Sequence, residues 1–212
     1  MNVKKLRTAA RFAALVALVL LAAPALVVAE EPAAADPRAD LLAHMERTQK
    51  LFLDSIAGLT EAQWSWKPAP DKWSVGECAE HITRTEPMLR GLIAKMLSEP
   101  TDPAVLEKSH GKVETLLAFI VDRSSKVQAP EPLNPMKAGE VRSRAAIERD
   151  FPFERGRSYE IASTGNLLGH AMMSPVAEEV DALGWLYFLS GHVERHTLQI
   201  EEVKATAGFP RN

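Results

Sequence analysis

Apolar residues recur at helical spacings of three and four along most of the chain, and this periodicity restricts the possible folds more than any other feature. The clearest stretch runs from about Asp181 to Ala205. Its repeating positions are Trp185, Leu189, His192, His196, Gln199 and Val203. Strand-like alternation of useful length and internal repeats are both missing from the sequence. An all-α fold with about four long helices is therefore predicted.

The first helix is predicted to begin near Asp40 and to end at Gly58. The stretch 60–73, TEAQWSWKPAPDKW, follows it. Its prolines exclude a long helix, and its tryptophans are expected to cover one end of the bundle. We therefore predict a loop with an aromatic lid before the second helix.

The second helix is predicted to begin at a capping box, in which Ser74 and Glu77 each bond the other's backbone amide, and to end before Pro100. Capping accounts for Glu77 without a catalytic role. Asp102, which precedes a proline, is predicted to cap a third helix that extends to Ile120.

Residues 143–163 are helical in pattern at both ends, but Pro152 and Gly156 interrupt them. One kinked helix and two short helices are equally compatible with this pattern.

The N-terminus has the three zones of a secretory signal. A basic stretch to Arg11 precedes an apolar run over 12–28, and small residues ending at Ala29 stand before Glu30. The alternative, an uncleaved membrane anchor, needs about 20 apolar residues, whereas this run is shorter and contains Pro24. Residues 1–29 are therefore predicted to be a cleaved signal peptide, which places the protein in the periplasm or outside the cell.

Four of the 25 basic side chains and none of the 28 acidic ones lie in residues 1–29, which leaves a net charge of −7 for the rest. Without a run of lysines or arginines, nucleic acid is not expected as a partner, nor is stable membrane association after cleavage. Residues 30–38 have the small, charged, proline-containing composition of a disordered tether. Residues 39–210 are expected to form one domain.

Cys78 is the single cysteine, so no intramolecular disulfide can form. It lies on the apolar stripe of the second helix, where a free cysteine usually behaves as a small buried hydrophobe. We therefore predict an inert thiol rather than a nucleophile.

His192 and His196 are four residues apart, so a helix places both imidazoles on one face. Such a pair alone is common by chance. Both lie on the inward seam, however, where a buried imidazole needs a hydrogen-bond partner or a metal, and His81 is a third inward histidine on another helix. These three residues are the candidate metal ligands.

Other polar residues have simpler expected roles. Glu194 and Arg195 are expected to form ion pairs or to be solvated on the polar face of the last helix. His110 and His170 are candidates to line a pocket, although packing or surface positions are the commoner outcome. His44 is expected at the surface.

Two segments carry a family resemblance: K-W-S-V-G-E-C-A-E-H-I at 72–82 and G-H-V-E-R-H-T-L-Q-I-E-E-V at 191–203. Together they resemble the DinB-like (YfiT-like) superfamily, and the likeness extends from about Asp40 to Pro210. It implies a four-helix bundle of up-down-down-up type, here with an additional helical or loop insertion. The chain departs from the family pattern at Pro152 and Gly156 in the third bundle helix, and in its export signal, since many members are cytoplasmic.

The resemblance also implies that His81, His192 and His196 are ligands of one divalent metal ion. Neutral imidazoles suit transition metals such as zinc, nickel, iron or copper, and suit magnesium or calcium poorly. Characterised relatives include metal-dependent thiol transferases and a hydrolase, which implies a small-molecule substrate. The alternative is a non-catalytic bundle with a structural metal, so enzymatic activity stays open, and a homodimer is compatible with the sequence.

The export prediction is tested by the intact mass of the protein recovered from its natural compartment. Glu30 is expected as the first residue, because signal peptidase cleaves after small residues such as Ala29. A full-length chain retained in the membrane would contradict the prediction.

Overall fold

The computed structural model describes residues 37–104, 112–137, 139–174 and 179–211, so the predicted signal peptide and His110 lie outside the described residues. The α-helices whose bounds lie within these residues are α1 (Pro37–Ile56), α2 (Glu61–Ser65), α3 (Val75–Leu97), α4 (Val113–Val121), α5 (Arg144–Thr164) and α6 (Ala182–Ala205). A 3-10 helix (Glu131–Leu133) and a short antiparallel pair, β1 (Met172–Met173) and β2 (Glu179–Val180), complete the elements. The all-α prediction is confirmed. Of the described helices, none is both long and apolar enough to cross a membrane.

Helix α1 begins at Pro37, so the last two residues assigned to the tether are helical. The cause is Arg38, whose guanidinium donates to the carbonyls of Ser163 and Gly165 at the end of α5. Arg38, whose charge suggested a solvated tether, instead bonds carbonyls that have no partner within helix α5.

The stretch 60–73 is not entirely a loop, because α2 forms within it. A capping box starts this helix: the Thr60 amide donates to Gln63 Oε1 at 2.9 Å, and the Gln63 amide donates to Thr60 Oγ1 at 3.3 Å. Trp64 is buried against α3, where a Cβ added at Gly76 would lie 2.6 Å from the indole nitrogen. Only glycine permits this close approach of the tryptophan to α3.

The capping box predicted for the second helix is confirmed at the start of α3. The Ser74 amide donates to Glu77 Oε2 at 2.7 Å, and the Glu77 amide donates to Ser74 Oγ at 3.1 Å. Lys67 Nζ donates to the other oxygen of Glu77 at 2.9 Å. Both carboxylate oxygens therefore have structural partners.

Helix α5 is continuous through Pro152, so the alternative of two short helices does not hold. Phe151 and Arg155, on either side of the proline, are fully buried. Packing of these two residues against the neighbouring helices maintains the helix although the proline lacks an amide hydrogen.

Contacts between helices establish their directions. The contacting pairs are Thr48 with Ser190, Ser55 with Lys204, Arg38 with Gly165, and Phe52 with Phe151. In the first two pairs, a later residue of α1 contacts a later residue of α6, so these helices are parallel. In the last two pairs, a later residue of α1 contacts an earlier residue of α5, so these helices are antiparallel. The buried cluster at the start of α3 includes the second half of α6, and the cluster at the end of α3 includes its first half, so these two helices are antiparallel. The bundle is therefore up-down-down-up, as the resemblance implies.

A polar layer, defined as Thr48, Glu86, Arg155 and Ser190, separates the two apolar clusters of the core. Each long helix of the bundle contributes one of these residues. Arg155 Nη2 donates to Glu86 Oε2 at 3.0 Å, and both side chains are almost completely buried. The guanidinium also lies 5.3 Å from the centre of the Phe151 ring.

Burial raises the pKa of Glu86, and the neighbouring Arg155 guanidinium opposes that rise. The two charges compensate each other, so removing one of them leaves the other buried without its nearest counter-charge.

We expect Arg155→Met to lower the free energy of unfolding by about 3–5 kcal/mol, because Glu86 then loses its counter-charge. The double variant Glu86→Leu/Arg155→Met should recover most of that loss, since no charge is left buried. Urea denaturation of the two variants measures both effects. Lys50→Met, which breaks the exposed pair with Asp54, is the control and should have little effect. A double variant as unstable as the single one would contradict the role given to the pair.

Candidate metal centre

The structure brings His81, His192 and His196 together. His81 lies near the start of α3 and the other two lie near the middle of α6, and the antiparallel arrangement of these helices places them side by side. The ring centroids are 4.5–4.9 Å apart. One nitrogen from each ring lies within 4.8 Å of the nitrogens of the other two rings. This is the grouping predicted from the sequence.

Hydrogen bonds orient two of the three rings. His81 Nδ1 lies 2.8 Å from the carbonyl oxygen of Leu133, and His196 Nδ1 lies 2.8 Å from Gln199 Oε1. Since both oxygens accept, each Nδ1 carries the hydrogen and each Nε2 keeps its lone pair, which in His81 lies within hydrogen-bond distance of His192 Nε2. Such partners are typical of histidines that bind a metal.

The spacing of the nitrogens suits a single ion. His81 Nε2 and His192 Nε2 are 3.1 Å apart. Two nitrogens bound to one zinc ion at the usual length and a tetrahedral angle lie about 3.3 Å apart. The His81 and His192 nitrogens therefore have a spacing suited to one ion, and the His196 nitrogen lies within 4.8 Å of both.

The surroundings of all three imidazoles favour the neutral form. Burial lowers the pKa of His81 and lowers those of His192 and His196 well below the ordinary histidine value. For the pair on α6, the neighbouring imidazoles lower the pKa further. A neutral imidazole has the lone pair that a metal requires.

Trp73 covers the group. Its ring lies 4.9 Å from the centroid of His81 and 5.8 Å from that of His196, stacked on the latter at 28°. The aromatic lid predicted for this stretch therefore lies on the histidines themselves. By contrast, a cleft of about 660 Å³ between α3 and α5, whose walls include Glu80 and Arg142, is lined by none of the three.

Arg195 does not lie on a solvated face as expected. It is 7% exposed, and its guanidinium donates to the carbonyls of Ile120, Asp122 and Ser125 around the end of α4. The helical pattern indicated a polar position, but it could not show that α4 ends against this part of α6. Glu194 does form the expected ion pair, with Arg47 at 3.0 Å.

The other described histidines lie apart from the metal candidates. His44 is half-buried rather than at the surface, because its Nδ1 is 2.8 Å from Ser190 Oγ and its ring packs against Tyr187. His170 is buried, and its Nδ1 has no hydrogen-bond partner within the described part of the chain.

Comparison with known proteins gives a family match and a similar bacterial protein. A family model described as the DinB superfamily matches residues 44–200. The chain is also similar to the uncharacterised protein YuaE of Bacillus subtilis strain 168, with 26% identity over 153 residues that cover 71% of this chain and 89% of that protein. No solved structure matches the chain significantly.

Cys78 lies one turn before His81 but is fully buried in the apolar cluster, and burial raises the pKa of its thiol. It is not part of the histidine group. We expect Cys78→Ala to keep the metal-to-protein ratio of the wild type, measured by elemental analysis, because no thiolate is available as a ligand. Loss of metal from this variant would instead indicate a mixed sulfur and nitrogen site.

Proposed function

The chain belongs to the DinB superfamily, and we propose that it is a metal-dependent enzyme that uses His81, His192 and His196 to hold one divalent transition-metal ion. The proposed reaction is transfer of a group to a thiol or hydrolysis of a small molecule. The observation that carries this proposal is the grouping of three ring nitrogens within 4.8 Å of one another.

The donor set favours zinc, nickel, iron or copper, because neutral imidazoles bind these ions better than hard, oxygen-seeking ones. A set of three protein ligands leaves coordination positions for a substrate. When bound, the ion supplies Lewis acidity towards that substrate. The protein's own contribution is to orient the imidazoles, through the Leu133 carbonyl and Gln199, and to shield them from water with Trp73.

A second candidate function is a non-catalytic bundle in which the metal stabilises the fold. Its support is the cover that Trp73 forms over the histidines, together with the position of the 660 Å³ cleft away from them. The two functions differ in whether the bound ion exchanges a water molecule with solvent. Water-proton relaxation with a paramagnetic ion in the site separates them, because only an exchangeable water enhances the relaxation.

The proposed setting is the periplasm or the extracellular space, with a small molecule as the partner. The support is the N-terminal sequence together with the charge of the remaining chain, which carries no basic cluster.

We expect each of His81→Ala, His192→Ala and His196→Ala to lower the affinity for the metal by orders of magnitude. Loss of one of three ligands removes a large part of the binding energy. Affinity is measured by competition with a chelator, and metal content by elemental analysis of protein purified from its own compartment. The thermal stability of each variant should fall modestly when no metal is added.

His44→Ala and His170→Ala are the matched controls, since both replace buried or half-buried histidines outside the group, and both should retain the metal. A wild-type protein that contains no transition metal, and whose melting temperature does not rise with zinc, nickel, copper or ferrous ions, would contradict the proposal.

A further inference from the structure

The segment after α4, residues 122–133, contacts His81 directly and contacts Gln199, the hydrogen-bond partner of His196. Its last residue, Leu133, supplies the carbonyl oxygen that lies 2.8 Å from His81 Nδ1. Near its start, the guanidinium of Arg123 lies 3.4 Å from Gln199 Oε1. That oxygen is the one that orients His196. The same segment therefore contacts a metal candidate on α3 and the partner of another on α6.

Within the described residues, positions 123–129 make no backbone–backbone hydrogen bonds. Val127 is 70% exposed, so this part of the segment is not held by core packing. The position of residues 123–129 must therefore depend on side chains that bond to them.

Arg195 supplies the most extensive of these bonds. Its Nη1 donates to the carbonyl of Ile120 at 3.1 Å and to that of Asp122, and its Nη2 donates to the carbonyl of Ser125 at 2.7 Å. Because the guanidinium is planar and carries its donors in a rigid fork, it holds these carbonyls in one relative position.

Close packing makes this contact possible. A Cβ added at Gly191, one turn before Arg195 on α6, would lie 2.6 Å from Ile120 Cγ2 of α4. The absence of a side chain at Gly191 lets the two helices approach closely, which brings the end of α4 within reach of the arginine.

We propose that Arg195 is a positioning residue for the metal centre: it holds segment 122–133 in place, and that segment in turn orients His81 through the Leu133 carbonyl and supports Gln199 at His196. This inference rests on the proposed function. It assigns a role to a side chain that does not face the ion itself. If Arg195 only capped α4, it would make the same contacts with the end of that helix, but its removal would have no effect on the imidazoles.

The test uses the folded mature protein with cobalt(II) as the probe. Arg195→Met removes all three hydrogen bonds, and Arg195→Lys keeps the charge but loses the fork. Arg90→Met is the matched control, because Arg90 is also buried and donates to a backbone carbonyl, that of Glu154 at 2.9 Å, away from the segment. The readouts are cobalt affinity by chelator competition, the absorption spectrum of the cobalt complex, and hydrogen exchange of residues 122–133.

Arg195→Met should weaken cobalt binding about 10–100-fold, the usual effect of removing support from metal-bound histidines. It should also change the cobalt spectrum and speed exchange in the segment, and Arg195→Lys should give a smaller change in each readout. Arg90→Met should match the wild type in all three, whatever its stability. Unchanged affinity and spectrum in Arg195→Met would overturn the inference, and so would equal losses in the Arg90 control.

If Arg195→Met does not fold, Arg195→Lys and Arg123→Gln decide the question. Arg123 is partly exposed, and its replacement removes the support of Gln199 without emptying a buried site. Wild-type affinity and spectrum in both variants would overturn the inference while leaving the proposed function intact. A wild-type protein that binds no cobalt would overturn the proposed function as well.

Discussion

Burial of α6 by α1, α3 and α4 is the packing arrangement on which the rest of the structure depends. Most of the residues of this helix are buried, so Arg195, which a surface helix would expose, is enclosed together with the inward-facing His196. An enclosed polar side chain must find a partner. Arg195 finds carbonyls at the end of α4, and His196 finds Gln199 and two other imidazoles. The histidine group and the hydrogen bonds that orient it thus depend on the burial of α6.

The sequence predicted local features well because their causes are local. Helical spacing and the Ser74 capping box located α3, and the same spacing placed His192 and His196 on one face of α6. The contact of Trp73 with His81 depends instead on how a loop folds back over the bundle, which no local pattern records. The same holds for the Leu133 carbonyl and for Arg195, whose partners are remote in the chain. Composition predicted a tether up to Arg38, because it does not reveal that the hydrogen-bond partners of Arg38 lie at the end of α5, far away in the sequence.

The polar layer gives the bundle a reason to pack in one register. Thr48, Glu86, Arg155 and Ser190 meet at one level of the bundle, with apolar residues above and below. Sliding one helix by a turn would place a charge against an apolar cluster and leave its partner unpaired. Buried polar groups often contribute specificity of this kind rather than net stability. The alignment of α3 with α6, and so the grouping of the three histidines, benefits from that specificity.

The position of Trp73 has a kinetic consequence. Its indole lies against two of the three imidazoles, so an ion or small molecule that arrives from that side meets the aromatic ring before it meets a nitrogen. Entry or departure along that path would require the indole to move. Such a movement would slow exchange along that path without changing how strongly the histidines bind a ligand. The contact of Trp73 with the imidazoles therefore bears on residence time rather than on affinity.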